Sequence, residues 1–194
     1  MKQVSDEKDY KHVLGLSGGK DSSALAIYMR ENFPELDIQY FFTDTGAELK
    51  EVYEYLNMLE GYLGKPIKYL DPKRDFAFYL KQHNNFLPSA QARWCTVKLK
   101  LLPFEKWVSD EFLNKGFKVK SYVAIRGDEN FREGLKSKKE IETILPFGMR
   151  MLIKRGYLRY LKIQDWACQN IMIGGQEADA LFAFSNAKSS GLAY

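Results

Sequence analysis

HVLGLSGGKDSSALAIYM, residues 12–29, decides how the rest of the chain is read. HVLGL is a short apolar run followed directly by SGG, the pattern of a buried strand that ends in a tight turn. Beyond the turn, Leu25, Tyr28 and Met29 recur at helical spacing as far as Asn32, and Pro34 stops the helix. A turn of this kind aims backbone N–H groups and the positive end of a helix dipole at one point, where an anion is favoured. Gly18 and Gly19 let the backbone approach phosphate oxygens without a Cβ in the way. Ser17, Ser22 and Ser23 offer hydroxyl donors, and Lys20 adds a point charge. Asp21 is out of place in a pure anion site, but it makes sense as the ligand of a magnesium ion shared with phosphates. The spacing is not GxxxxGK[ST], because the lysine follows the second glycine directly. The plainer alternative is a glycine turn with a Ser/Asp helix cap.

The unit repeats. Residues 38–42 form a second apolar run that ends at TDTG, residues 43–46. Val52, Tyr55, Leu56, Leu59 and Leu63 then lie on one helical face. Residues 66–70 make a third strand candidate, and DPKRDFAFYLKQ, residues 71–82, has the form of a cap and a brief helix. Residues 83–94 are polar and irregular, with His83 expected on a surface loop and Phe76, Phe78, Tyr79 and Phe86 expected in packing. A helix is expected from near Pro103 to about Asn114. Val119, Ser121, Val123 and Ile125 alternate with Lys118, Lys120, Tyr122 and Ala124 as a fourth strand ending at RGDEN, residues 126–130. Strands alternating with helices imply a parallel sheet covered on both faces, with ligands beyond the carboxyl ends of the strands. SGGKDSS, TDTG and RGDEN all fall there.

At 194 residues, with 45% apolar and 28% charged residues, the chain suits one domain with a real core. No stretch approaches the roughly 20 uncharged apolar residues of a membrane span, and the opening MKQVSDEKDYK is polar where a signal peptide is apolar. Membrane association and secretion are therefore not expected. Cys95 and Cys168 cannot build a disulfide framework, and with His12 and His83 they are too few for a zinc site of the usual kind, so a reducing cytoplasm is the simplest setting. The net charge of +4 is unevenly placed. Residues 143–164 hold Arg150, Lys154, Arg155, Arg159 and Lys162 with no acid, which suits a solvated basic face or, alternatively, contact with nucleic acid phosphates through residues 150–162.

On these motifs the chain resembles the PP-loop ATP pyrophosphatases of the adenine nucleotide alpha hydrolase superfamily, whose signature is SGGxDS. More narrowly it resembles the phosphoadenosine phosphosulfate (PAPS) reductase family. FFTDTGAELKEVYEYL is similar to that family's DTG segment, RWCTVKLKLLPFEKW from Arg93 to its basic cysteine segment, and AIRGDENFRE from Ala124 to its GIR(A)DES(x)R segment. The resemblance covers about residues 10–148. It implies a Rossmann-like three-layer α/β/α fold with a mostly parallel sheet. It also implies that residues 17–23 bind nucleotide phosphates with Asp21 near magnesium, and that Thr43, Asp44 and Gly46 lie beside the nucleoside. Lys20, Asp21 and Arg126 would then be the catalytic groups. Arg126 would place its guanidinium on a phosphate or sulfate; a surface ion pair with Asp128 or Glu129 is the alternative. Arg93, Cys95, Lys98 and Arg126 would face the second substrate.

Reductases acting on PAPS carry a degenerate phosphate loop and a C-terminal cysteine motif, which Cys168 in WACQN does not match. The intact SGGKDSS is instead similar to members that use ATP with magnesium and cleave at the α phosphate to adenylate or activate a substrate, some of them in sulfur transfer. A non-catalytic nucleotide- or nucleic-acid-binding module is a further alternative. Cys95 lies among Arg93, Lys98 and Lys100, a setting that favours a thiolate. As a ligand of an iron–sulfur cluster, as in similar sulfurtransferases, it would need about four cysteines where the chain has two; a buried inert cysteine is the other reading.

After Gly148 the resemblance stops. Relatives continue into a segment similar to LPxYYxWRxRSGCxFCFFQ, whereas this chain reads WACQNIMIGGQEADALFAFSNAK. Read from the third base of each codon, synonymous choices for residues 168–188 permit PEYYDWRSGSGCFICFFQRK. The expected organisation is thus a PP-loop domain over residues 1–148 and an atypical tail over 149–194, shifted in frame by insertions or deletions near residues 148–164. Sequencing the gene decides this, and a shifted frame would put activity in doubt. The ordinary alternative is a basic helix over residues 151–163 followed by a polar tail.

Overall fold

A computed structural model describes residues 9–89, 91–125 and 140–146. Arg126, Cys168, the basic segment 150–162 and the tail 149–194 lie outside the described residues. The elements run β1 (Tyr10–Leu16), α1 (Lys20–Asn32), β2 (Ile38–Thr43), α2 (Lys50–Leu63), β3 (Ile67–Leu70), α3 (Phe76–Gln82), α4 (Leu102–Glu111), β4 (Lys118–Tyr122) and β5 (Ile141–Ile144). The five strands are ordered β3-β2-β1-β4-β5, and every neighbouring pair is parallel. The chain winds outward from β1 to β3 and then returns to the far side of β1 as β4. The connections after β1 and β4 therefore leave in opposite directions and open a crevice above the carboxyl ends of these two strands.

Alternate residues of each strand face opposite sides of the sheet, and both sides are covered. Leu14, Leu16, Ile38, Tyr40, Phe42, Ile67 and Tyr122 pack with Ala24, Leu25, Ile27 and Met29 of α1 and Leu56, Leu59 and Leu63 of α2. Val13, Phe41, Leu70, Val119 and Ile141 pack on the other side with Phe104 and Val108 of α4 and with Phe112. Burying each such side chain contributes about 1.5–3 kcal/mol before conformational entropy is set against it. The glycine inside β1 has a packing reason. A Cβ on Gly15 would lie 2.9 Å from the ring of Phe41, its register partner on β2, and that ring stacks on Phe104 at 4.9 Å. The three-layer α/β/α arrangement expected from the sequence is the one observed.

The structure extends or corrects the sequence reading at four places. α4 starts at Leu102 with Pro103 in its first turn, as expected, but a π-helical stretch, Thr96–Leu101, runs directly into it. Leu102 N donates to Val97 O, five residues back, and the widened turn accommodates a proline that has no N–H to donate. β4 ends at Tyr122 rather than Ile125, because Val123 N still bonds Ile144 O but Ile125 N turns back onto Val123 O. β5 is not among the strands expected from the sequence; its four residues, IETI, do not alternate apolar with polar and are too few to stand out. Phe78 and Phe86 are exposed rather than packed, while His83 is half-buried and stacks on Trp94 with ring centroids 5.0 Å apart.

Candidate functional site

The loop between β1 and α1 is built by its own side chains. Gly18 adopts φ +70°, the left-handed region, and Gly19 is the extended residue that caps α1. Ser22 Oγ accepts from Ser17 N at 3.1 Å and donates to Gly19 O at 3.1 Å, and it lies 3.1 Å from Ser17 Oγ. Ser23 Oγ donates to the same carbonyl at 3.0 Å, and Gly19 N donates to Ser17 Oγ at 3.3 Å. Ser23 is fully buried, so its hydroxyl shapes the loop from inside, while Ser17 is exposed and Gly18, Gly19, Lys20 and Asp21 are half-buried. The first α-helical bond closes from Ser23 N to Gly19 O, so the amides preceding it belong to the helix end, where the dipole is positive.

The loop after β2 lies beside it. A Cβ on Gly18 would meet Val52 in the first turn of α2, and the next residue, Tyr53, donates its hydroxyl to Asp44 Oδ1 at 2.8 Å. Gly46 N donates to the same oxygen at 2.8 Å, closing a tight turn. Thr45 is buried and donates to Glu48 Oε1 at 3.0 Å, while its carbonyl accepts from Phe76 N at 3.2 Å. Burial and the neighbouring Asp44 together push Tyr53 up to about 12, so it keeps its proton throughout the working range. Thr43 ends β2 half-buried.

Above the carboxyl ends of β2 and β3 lies a cleft of about 520 Å³, lined by Asp44, Thr45, Gly46, Asp71, Pro72, Lys73, Arg74, Asp75 and Phe78. The Arg74 guanidinium lies over the Phe78 ring, 4.9 Å from its centroid, and Asp75 caps α3 through Phe78 N at 2.8 Å. The sequence reading missed Tyr53 and residues 71–75. The signal for the latter was present, since DPKRD follows a strand end just as TDTG does. Tyr53 carried none, being one tyrosine among several on an amphipathic helix.

Arg93, Cys95 and Lys98 do not line this cleft. They belong to the segment leading into the π-helical stretch, where Arg93 and Lys98 are exposed and Cys95 is a half-buried free thiol 4.0 Å from Thr96 Oγ1. Next to it, Trp94 is buried between Phe76 and His83, and its Nε1 has no hydrogen-bond partner among the described residues.

A parallel sheet with a glycine loop after its first strand, opening a helix at the switch point, defines a doubly wound α/β architecture. Residues 11–145 match the phosphoadenosine phosphosulfate reductase domain, and the chain belongs to that family, within the adenine nucleotide alpha hydrolase-like superfamily. It is 32% identical over 133 residues to an uncharacterized protein of Methanocaldococcus jannaschii, a match that takes in 68% of this chain and 26% of that protein. The chain thus spans about a quarter of the length of the curated relative it matches. Its fold is similar to the crystal structure of a PAPS reductase from Candida auris in a phosphate complex. The TM-score is 0.52 at 12% identity, over 81% of this chain and 73% of that chain. Among the described residues no helix is long and apolar enough to cross a membrane.

Proposed function

We propose that this chain binds ATP with magnesium through Ser17, Gly18, Gly19, Lys20, Asp21, Ser22 and Ser23, and cleaves it at the α phosphate. Pyrophosphate leaves and the adenylate passes to an acceptor, which is thereby activated for sulfur transfer. The observation that carries this reading is the loop itself: Gly18 at φ +70°, with Ser17 and Ser22 bonded across the turn, is followed by residues 20–22, whose amides precede the first α-helical bond at the positive end of α1. Lys20 and these amides stabilise the charge that develops on departing pyrophosphate, a step that needs no general base.

Asp21 sits in the first turn of α1, directly after Lys20. Among the described residues no three His, Cys, Asp or Glu side chains converge as a metal cage, which suits magnesium held mostly by phosphate oxygens and water with a single carboxylate. Magnesium so held neutralises phosphate charge. An iron–sulfur cluster does not fit two cysteines in the chain, of which only Cys95 is among the described residues, and no step runs through one. The free thiol of Cys95 suits a reducing cytoplasm. The acceptor itself is unidentified; contact with nucleic acid phosphates through the basic residues 150–162 is a separate reading, checked by salt-dependent binding of DNA or RNA.

The test of the whole reading is pyrophosphate release from ATP and magnesium by the full chain, with ATP binding followed by calorimetry. Sulfite release from PAPS in the presence of a thiol, without turnover of ATP, would replace it with the reductase reading. Binding without either product would leave a nucleotide-binding module. No binding of any adenylate would end the adenylate reading altogether.

A further inference from the structure

Resting on the reading that residues 17–23 grip the phosphates of ATP, we propose that Tyr53 is a positioning residue for that loop: its bond to Asp44 fixes the first turn of α2, and Val52 in the same turn is the wall on which Gly18 is seated. Tyr53 itself does not line the cleft above β2 and β3. Its hydroxyl donates to Asp44 Oδ1 at 2.8 Å, and Gly46 N donates to the same oxygen at 2.8 Å, so the turn after β2 and the turn that opens α2 share one anchor. One residue back, Val52 Cγ1 would lie 2.7 Å from a Cβ on Gly18. The loops after β1 and β2 therefore meet at adjacent residues of one helical turn.

The phenol supplies the directional part of this arrangement. Leu49, the N-cap of α2, makes no side-chain cap bond, so the start of the helix lacks that polar tie. Val52 and Tyr53 pack on the core beneath, which sets how deep the turn sits. Apolar packing has no preferred direction, whereas a hydrogen bond to a carboxylate does. Without the hydroxyl the turn keeps its depth and loses its heading. Gly18 feels a shift of Val52 because no free space separates them, and Gly18 leads directly into Gly19 and the amides of residues 20–22. A misplacement of about 1 Å in a positioning group can cost about a hundredfold in rate. Burial and the neighbouring Asp44 keep the phenol protonated, so it remains a donor over the working range.

The experiment titrates magnesium ATP, magnesium pyrophosphate and adenosine into the full chain by calorimetry. Pyrophosphate has no nucleoside and adenosine no phosphate, so a change at the phosphate loop is separated from one made at the nucleoside through Asp44. Tyr53→Phe should weaken ATP and pyrophosphate by about fivefold or more and adenosine by less than about twofold, a pattern that a general loss of stability would not produce. Val52→Ala should weaken the same two ligands, and Tyr53→Phe added to it should cost less than about twofold more, because the route to Gly18 is already broken. Fully additive losses, or a loss confined to adenosine, overturn the proposal. Hydrogen exchange on the wild type needs no variant to fold. Pyrophosphate should slow the amides of Gly46 and Val52 along with those of residues 20–22, and slowing confined to residues 20–22 rejects the coupling. A chain that binds ATP while Tyr53→Phe leaves its pyrophosphate affinity unchanged rejects the positioning role alone. One that binds neither ATP nor pyrophosphate rejects the underlying reading of the loop.

Discussion

A Cβ placed on Gly18 would lie 2.7 Å from Val52 Cγ1, so the loop after β1 is seated against the first turn of α2 with no room for a side chain. The same glycine has φ +70°, a conformation that L side chains rarely adopt. Two separate costs therefore meet at one residue, and they can be told apart. Gly18→Ala should lose about 1–3 kcal/mol of stability and weaken ATP by about tenfold or more, because the amides lose their aim. Adding Val52→Ala should return the steric part and leave the backbone part. Denaturation of the two single variants and the double variant measures this, and strict additivity would show that the contact is unimportant.

Lys20→Ala is expected to lower ATP affinity by about tenfold, and Asp21→Asn to remove most of the dependence of binding on magnesium. Titrations in magnesium and in excess chelator separate the two effects. If chelator leaves wild-type binding unchanged, Asp21 does not serve a metal.

Tyr53 gives a stability signature at high pH. Its folded value is pushed up to about 12 from 10, so the folded chain holds this proton more tightly than the unfolded chain. The contribution is fully present below pH 10 and is lost as pH rises from 10 toward 12. Tyr40, Tyr62 and Tyr69 are shifted in the same direction, so the difference between wild type and Tyr53→Phe is the informative quantity. The variant should lose less stability over that window, and parallel curves would rule Tyr53 out as the source.

Gly15→Ala tests the packing beneath the site. The new methyl would press into the Phe41 ring, itself stacked on Phe104 and tilted against Trp107 at 5.3 Å, so the ring has little room to retreat. A loss of about 1–3 kcal/mol is expected, with ATP affinity per folded molecule nearly unchanged. A large loss of affinity at full folding would instead tie Gly15 to the site.

Much of the scaffold was legible because buried parallel strands are continuous apolar runs, and helices on one sheet face repeat at 3.6 residues. HVLGL, IQYFF and the Val52–Leu63 face carried both signals, and each is followed or preceded by a glycine or capping turn. β5 and the π-helical entry to α4 were not legible. A four-residue strand is defined by the neighbour it pairs with, and a wide helical turn is defined by a carbonyl five residues back, neither of which is a property of composition.

The sequence by itself determined the order of strand, glycine loop and helix, and the turns at residues 17–23 and 43–46, because chain-local sterics and hydrogen bonding specify turns and caps. Tertiary structure decided which residues face one another across those loops. Val52 lies against Gly18 because β1 and β2 pair side by side, the cleft shared by TDTG and DPKRD forms because β2 and β3 do, and Tyr53 folds back on Asp44 across the turn that joins β2 to α2. Contacts between segments distant along the chain depend on strand order and register, and those are fixed only when the two sheet faces bury their apolar residues together.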